Sequence, residues 1–347
     1  MNYADIIDVT EDSALFGYEL EGPGFAVLTI DGREIKSLEA CGTGRFRVSG
    51  LAPATSYHAE LSGVGLDFTT LPAPEGPELC RFALISDPHI SVKEENRKGR
   101  FFVESAALAA ESFAAARKLG AEFVVLPGDI TNEGTEEEYR LSRSVLDKAE
   151  LPVHLLPGNH DHPERGYWER FCGPRSWRMR LHDCTWIGAD TSDKRLHAED
   201  ARAIREAIEN GEKVIVFSHY QLFEAPRISH KPNQAVGNRE EIGDVLELIR
   251  NAPVMLYVGH QNICSCAPCG KALQLNLPQT PQFPCAWILV RVFANGFYHR
   301  QVPISSEVMR QWSRRAGNEA AAFYGEPQWR GEYRMQSYEQ SNFVWRG

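Results

Sequence analysis

A layered α/β domain preceded by a small all-β sandwich is the fold class this 347-residue sequence predicts, on three observations. Five apolar runs with the length and branching of buried strands each end in a short polar cluster. Segments with helix-start signals lie between those runs, as alternating β and α elements require. Residues 1–77 differ, showing short alternating segments separated by Gly, Pro and Asp.

In chain order, the amino-terminal segments are Ala14-Leu-Phe-Gly-Tyr, Ala26-Val-Leu-Thr-Ile, Arg45-Phe-Arg-Val and Tyr57-His-Ala-Glu-Leu. The stretch Gly50-Leu51-Ala-Pro53-Ala-Thr55-Ser-Tyr57 resembles the approach to a fibronectin type III tyrosine corner, whose phenol anchors the crossover between sheets. Leu71-Pro-Ala-Pro-Glu-Gly-Pro reads as a stiff linker, because clustered prolines favour extended backbone. A catalytic domain is expected over 78–303 and a tail over 304–347. The strand runs are Phe82-Ala-Leu-Ile, Phe123-Val-Val-Leu, Val153-His-Leu-Leu, Val214-Ile-Val-Phe and Val254-Met-Leu-Tyr-Val. Helices are expected over Ala106 to Leu119, over Glu136 to Lys148 behind a Thr135/Glu138 capping box, and over Ile242 to Ile249 behind a second box at Asn238/Glu241. The tail opens with a helix, Ser306 to Ala322, and closes in Tyr324, Trp329, Tyr333, Tyr338, Phe343 and Trp345. Aromatics at that density pack back on the domain, form a homo-oligomer contact or cover the site.

The polar clusters carry the chemistry: Asp87-Pro88-His89, Gly128-Asp129, Gly158-Asn159-His160-Asp161, His219, and Gly259-His260. Strands of a sheet lie under about 5 Å apart, and loops leaving their carboxyl ends line one crevice, so residues distant in sequence converge there. With Asn262 there are seven candidate ligands, of carboxylate, imidazole and amide type, a set suited to Mn, Fe or Zn and poorly matched to calcium. Glycines 128, 158 and 259 beside the ligands let backbone and ion approach without a Cβ clash.

These blocks resemble the calcineurin-like metallophosphoesterases, whose pattern is D-x-H, G-D, G-N-H-[DE], a lone His and G-H-x-H; the match runs from Arg81 to Val302. The resemblance implies a two-sheet β-sandwich flanked by helices and a dinuclear centre. Asp87, His89 and Asp129 would hold the first ion, and Asp129, Asn159, His219 and His260 the second. Two cations about 3.5–4 Å apart repel, and the shared Asp129 carboxylate with a shared hydroxide, the nucleophile, offsets that repulsion. His160 would act on the scissile phosphate with Asp161 orienting its ring; the plainer alternative is that both cap a turn. One block departs from the pattern: where the family has its second histidine, this chain has Asn262. Either its amide oxygen coordinates the first ion more weakly than imidazole would, or it coordinates nothing and water takes the position. An appended sandwich also occurs in purple acid phosphatases, but Asp129-Ile-Thr-Asn132 lacks their tyrosinate. Pro127 to Gly134, Tyr139 and Leu156 to Asp161 resemble the cyclic-nucleotide phosphodiesterase branch instead.

Composition sets the remaining bounds. With 43% apolar and 10% aromatic residues the chain can fill a sizeable core, and its formal charge of −10 argues against general nucleic-acid binding. The start Met1-Asn-Tyr-Ala-Asp lacks a basic and apolar leader, and no run is long enough to span a bilayer, so no membrane association and a cytoplasmic location are expected. Eight cysteines are then reduced thiols; Cys264-Ser-Cys266-Ala-Pro-Cys269 with Cys285 is either a small-residue loop, a structural zinc site, or a source of a thiolate from Cys264 beside Asn262. His162 and Arg165 follow the tetrapeptide and are candidates to meet a substrate phosphate; His230 lies in the loop after His219, facing solvent or lining a specificity pocket. The expected activity is hydrolysis of a small-molecule phosphodiester or phosphomonoester with two divalent or trivalent transition-metal ions. The alternative is a non-catalytic or weakly active metal-binding protein in which Asn262 has abolished turnover.

Overall fold

A computed structural model of the protein describes residues 3–224, 234–262, 264–323 and 338–346. In the amino-terminal sheet the strands are β1 (Tyr3–Val9), β2 (Ser13–Ile30), β3 (Arg33–Ser49), β4 (Ser56–Leu61) and β5 (Val64–Thr69). The segments Ala14 to Tyr18 and Ala26 to Ile30, expected as separate strands, are the two halves of β2. Asp31-Gly32, both at positive φ (49° and 75°), turns β2 back into β3, as a two-residue hairpin of right-handed twist requires. The register shifts between Leu20 and Gly24, so one half of β2 pairs with β1 and the other with β4 while β3 pairs along both. The bent sheet encloses Phe16, Leu28, Phe46, Leu61 and Phe68. Tyr57 Oη accepts from Ala52 N at 2.9 Å, tying the strand to the chain that leads into it.

Two six-stranded sheets follow. The first runs β17 (Phe343–Trp345), β16 (Gly296–Pro303), β15 (Ala286–Phe293), β6 (Glu78–Leu84), β7 (Phe123–Pro127), β8 (Val153–Leu156). The second runs β13 (Ser265–Cys269), β14 (Ala272–Asn276), β12 (Met255–Val258), β11 (Lys213–Ser218), β10 (Cys184–Ala189), β9 (Trp177–Leu181). All five apolar runs of the sequence fall in parallel pairs, β6-β7-β8 and β11-β12. Period two explains why those runs are continuous: both faces are buried. Phe82 and Leu84 point into the space between the sheets with Phe123, Trp186, Phe217 and Tyr257, while Ala83 and Ile85 point outward under the helices. Phe82 lies edge-on to Trp186 at 4.9 Å between ring centroids, and Phe217 stacks on Tyr257 at 5.3 Å.

The helices α1 (Ser105–Lys118), α2 (Glu136–Leu146) and α3 (Tyr167–Phe171) cover the first sheet, and α4 (Ala198–Glu209) and α5 (Gly243–Asn251) the second. None of the described helices is long and apolar enough to cross a membrane. Half of the first capping box forms: Thr135 Oγ1 accepts from Glu138 N at 3.2 Å, but the Glu138 carboxylate accepts from Glu133 N instead of Thr135 N. The second does not form. Asn238 spends its side chain on both backbone groups of Leu196, and α5 begins at Gly243 without a side-chain cap.

The cysteine segment is a strand and not a loop. Cys264 sits in the inter-sheet core and its Sγ contacts Gln340 O at 3.6 Å, Cys285 lies in a separate apolar cluster with Phe101 and Ile304, and no described group of ligands includes a cysteine. Burial pushes the Cys266 and Cys285 thiols up to about 12, as expected of inert core thiols. Neither the zinc expectation nor the supply of a thiolate beside Asn262 therefore holds. The last helix is α6 (Glu307–Phe323). Of the tail aromatics, Phe343 stacks on His299 at 4.2 Å and Trp345 packs on Phe297, so the described end folds back onto β16. Tyr324, Trp329, Tyr333, the Tyr338 side chain and His230 lie outside the described residues.

Candidate metal centre

Each predicted ligand leaves the carboxyl end of a strand: Asp87 and His89 follow β6, Asp129 follows β7, Asn159 and His160 follow β8, His219 follows β11 and His260 follows β12. Parallel pairing aligns those ends, and the side chains meet across the cleft between the two sheets. Two groups have all their ligand atoms within 4.8 Å of one another: His89, Asp129 and His160, and Asp129, His219 and His260. Asp129 belongs to both. Its Oδ2 lies 3.5 Å from His89 Nε2 and its Oδ1 3.3 Å from His219 Nε2. Asn159 Oδ1 receives two imidazole nitrogens, His219 Nε2 at 3.0 Å and His260 Nδ1 at 2.9 Å.

The donor chemistry fits metal. Both ring nitrogens of His89 are buried with no hydrogen-bond partner among the described residues, and so is Asn262 Oδ1. Orphaned buried donors and acceptors are costly, and a cation coordinated by lone pairs relieves that cost. Asn262 Nδ2 donates to His260 O at 3.1 Å, leaving the oxygen as its free coordinating atom. The cradle also has no space for larger residues: a Cβ at Gly259 would lie 2.7 Å from Asp87 Oδ2, and one at Gly158 would overlap Asp129.

The backbone is strained at the same places. Asp87, His89, Asp129, His260 and Asn262 have φ of 48°, 42°, 49°, 67° and 59°. Left-handed conformations of non-glycine residues cost of order 1 kcal/mol or more each, and they concentrate where function over-determines geometry.

Electrostatics are set by burying two carboxylates together. Burial pushes the Asp87 carboxyl up to about 7, with His219 pulling it down and Asp129 adding to the rise. Burial works the same way on Asp129, but His219, His89 and His160 surround it and hold its carboxyl well below the usual range. His219 is lifted to about 9 against its burial, chiefly by Asp129. For His89, burial and then the Arg100 guanidinium push the imidazole well down, keeping its lone pairs available.

The G-N-H-D tetrapeptide divides its work differently from expectation. His160 Nδ1 bonds Asn132 O at 2.7 Å and its backbone N donates to Asp129 Oδ1 at 2.9 Å. Asp161 does not orient that ring. Its carboxylate accepts from Ile130 N (3.2 Å), Thr131 N (2.8 Å), Thr131 Oγ1 (2.8 Å) and Gly158 N (2.8 Å), which fills its lone pairs. It clamps the Asp129 loop to the Asn159 loop from beneath. Of the two candidates to meet a substrate phosphate, His162 pairs with Glu164, and Arg165 Nη1 donates to Glu133 O at 2.8 Å.

Three neighbours had no signal in the sequence. Tyr220 lies against the His260 ring at 4.0 Å between centroids, Gln234 Oε1 meets His260 Nε2 at 3.0 Å, and the charge of Arg100 is felt at His89, Asp87 and Asp129. Only chain folding brings their loops to the cleft.

Comparison with known proteins adds the following. A family model described as calcineurin-like phosphoesterase matches residues 80–263. A probable glycerophosphodiester phosphodiesterase GpdQ of Arcobacter nitrofigilis is 42% identical over 43 residues, 12% of this chain and 16% of that protein. The glycerophosphodiester phosphodiesterase GpdQ of Enterobacter lignolyticus is 34% identical over 77 residues, 22% of this chain and 24% of that protein. The matches thus span about a sixth and a quarter of these relatives. Among solved structures, a dimetal phosphatase from Danio rerio superposes with a TM-score of 0.54 at 14% identity, covering 65% of this chain and 98% of that one. Purple acid phosphatase PPD1 from yellow lupin gives 0.50 at 11% identity, covering 88% and 73%. At these identities the two structures bear on fold alone.

Proposed function

The chain belongs to the calcineurin-like phosphoesterase family, and from that premise we propose that it is a metal-dependent hydrolase that cleaves a small phosphodiester at a two-ion site in which Asp129 would serve both ions. Membership of two ligand groups by one carboxylate carries the proposal. In it, Asp87, His89, Asp129 and Asn262 Oδ1 would hold the first ion, and Asp129, Asn159, His219 and His260 the second. When bound, the ions supply Lewis-acid activation of the phosphoryl group and a hydroxide nucleophile at neutral pH. His160, fixed through Nδ1 to Asn132 O, presents its other nitrogen to the phosphoryl or leaving-group oxygen, and Asp161 keeps the two ligand loops in register.

Preference for a diester rests on the short matches to two glycerophosphodiester phosphodiesterases and on the likeness of residues 127–161 to the cyclic-nucleotide phosphodiesterase branch. A fibronectin type III-like character for the amino-terminal sheet belongs to the same proposal, supported by the Tyr57 to Ala52 bond. Asn262 favours one second reading, a protein that binds a single ion and does not turn over, because amide oxygen is a weaker donor than imidazole.

Metal analysis with hydrolysis of bis-p-nitrophenyl phosphate in added Mn²⁺ tests both. Two ions and turnover are expected; one ion without turnover leaves only the second reading standing. Asn262→His is expected to tighten the first ion, read as metal retained after dialysis, and to raise turnover if that ion limits it.

A further inference from the structure

Arg100 is a partly buried cation at a site already lined with ligand residues. Its backbone is fixed twice, by reciprocal bonds with Arg97 and by a bridge to Gln282, and the segment carrying Gln282 is bridged at Gln279 to Ser86, the residue before Asp87. Those pairings set the Arg100 backbone next to the segment paired with Ser86, which leads into Asp87, and the charge of its guanidinium reaches His89, Asp87 and Asp129. Among the described residues that guanidinium makes no hydrogen bond and no ion pair; its Cζ lies over the Phe102 ring, 6.0 Å from the centroid. Most arginines of this chain that approach this degree of burial are paired: Arg310 with Asp5 and Glu307, Arg45 with Glu307, Arg291 with Glu11 and Glu78. Burial lowers the affinity of Arg100 for its proton, partly offset by Asp129 and Asp87, yet guanidinium stays charged in proteins. The neighbouring segment adds Gln279 Oε1 and Thr280 Oγ1, buried and without partners among the described residues.

A partly desolvated guanidinium on an anchored backbone, with no hydrogen-bonded acceptor among the described residues, is suited to receive an anion, since its planar fork matches phosphoryl oxygens two at a time. The Asp87 and Asp129 carboxylates do not fill that role, because both are turned to the imidazoles and to the His260 amide. We infer that Arg100 binds a non-bridging oxygen of the substrate's phosphoryl group, on the first-ion side where Asn262 has weakened the donor set. The inference rests on the hydrolase reading of the same cleft. Arg100 then supplies from the protein part of the positive charge that a loosely held ion supplies less reliably, and it acts in binding more than in the chemical step.

The test uses the Mn²⁺-loaded full chain, with inorganic phosphate binding by calorimetry and KM and kcat for bis-p-nitrophenyl phosphate, in wild type, Arg100→Gln and Arg100→Lys. Arg100→Gln is expected to weaken phosphate binding and raise KM about tenfold or more, the range for losing a charge-assisted hydrogen bond, with metal content unchanged and kcat changed less than KM. Arg100→Lys should recover part of both. Unchanged phosphate affinity and KM overturn the inference while leaving the hydrolase reading intact. So does a rise in bound metal at unchanged KM, which would make Arg100 a stand-in for the ion. If Arg100→Gln does not fold, Arg100→Lys decides: a raised KM with weakened phosphate binding supports the inference and wild-type values overturn it. A wild type that binds no metal and turns nothing over sinks the hydrolase reading and this inference together.

Discussion

Asp161 accepts four hydrogen bonds from two loops that also carry the candidate ligands; the bond from Gly158 N is the turn cap offered as the plainer alternative, while the three from Ile130 and Thr131 have no local signal. Its neighbours in G-N-H-D belong to the cleft, so a role on the His160 ring was the natural reading. Gly158 is three residues away, but Ile130 and Thr131 lie about thirty residues upstream in the loop after β7, and only parallel pairing of β7 with β8 brings those two into reach. Asp161→Ala strands buried Ile130, Thr131 and Gly158 donors and is expected to cost about 3 kcal/mol in urea denaturation, the upper part of the range for removing a charged acceptor from buried groups. Asp161→Asn, which keeps one acceptor oxygen, should cost less. By contrast the candidate ligands that the fold brings together are legible one by one, because each is an imidazole, carboxylate or amide near a glycine or proline at the end of an apolar run. Arg100 is not, since an arginine in a polar loop looks like solvent-facing charge until the fold partly buries it.

Strands were the most readable elements. Each apolar run became a strand because burial on both faces removes the polar alternation that would mark an edge or a half-exposed strand. Caps were less so: Asn238 has the residue type of a helix cap, but its amide is taken by Leu196, forty-two positions earlier. The β16 strand carries a consequence for pH. Burial drives the His299 imidazole down to about 3, and its Nε2 meets Tyr257 Oη at 2.7 Å across the space between the sheets. Its folded affinity for protons is below the unfolded value of about 6.5, so as pH falls below 6.5 the unfolded chain takes up a proton that the folded one refuses. Stability therefore holds above that pH and falls beneath it, by up to about 1.4 kcal/mol per pH unit until the folded value is reached. Urea midpoints at pH 7, 6 and 5 measure this, and His299→Gln should flatten that part of the slope.

At the scale of the molecule, the amino-terminal sheet is joined to the hydrolase domain by charge as well as by chain. Arg310, almost fully buried, pairs with Asp5 and Glu307; Arg45 reaches Glu307 at 2.6 Å, Arg314 reaches Glu19 at 3.0 Å, and Arg300 and Arg47 share Asp8. Removing one partner of a buried pair leaves an uncompensated charge, so Arg310→Ala is expected to cost about 3–5 kcal/mol. The more exposed Arg315→Ala should cost no more than about 1 kcal/mol, and thermal or urea unfolding of the two variants makes the comparison. From sequence alone these residues read as scattered surface charges either side of a proline-rich linker, because complementarity between segments about three hundred residues apart leaves no local pattern. What the sequence by itself determined was the layered α/β class, the strands and the kinds of atom available at their ends, since periodicity and side-chain chemistry are local properties. Tertiary structure alone decided which atoms of the Asp129 neighbourhood come within 4.8 Å of one another, that Asp161 ties two loops together instead of orienting a ring, that Cys264 and Cys285 stay in the core, and that Arg100 makes no hydrogen bond or ion pair through its side chain among the described residues. Those are statements about distance between loops, and distance is fixed only when the strands pair and the two sheets close on one another.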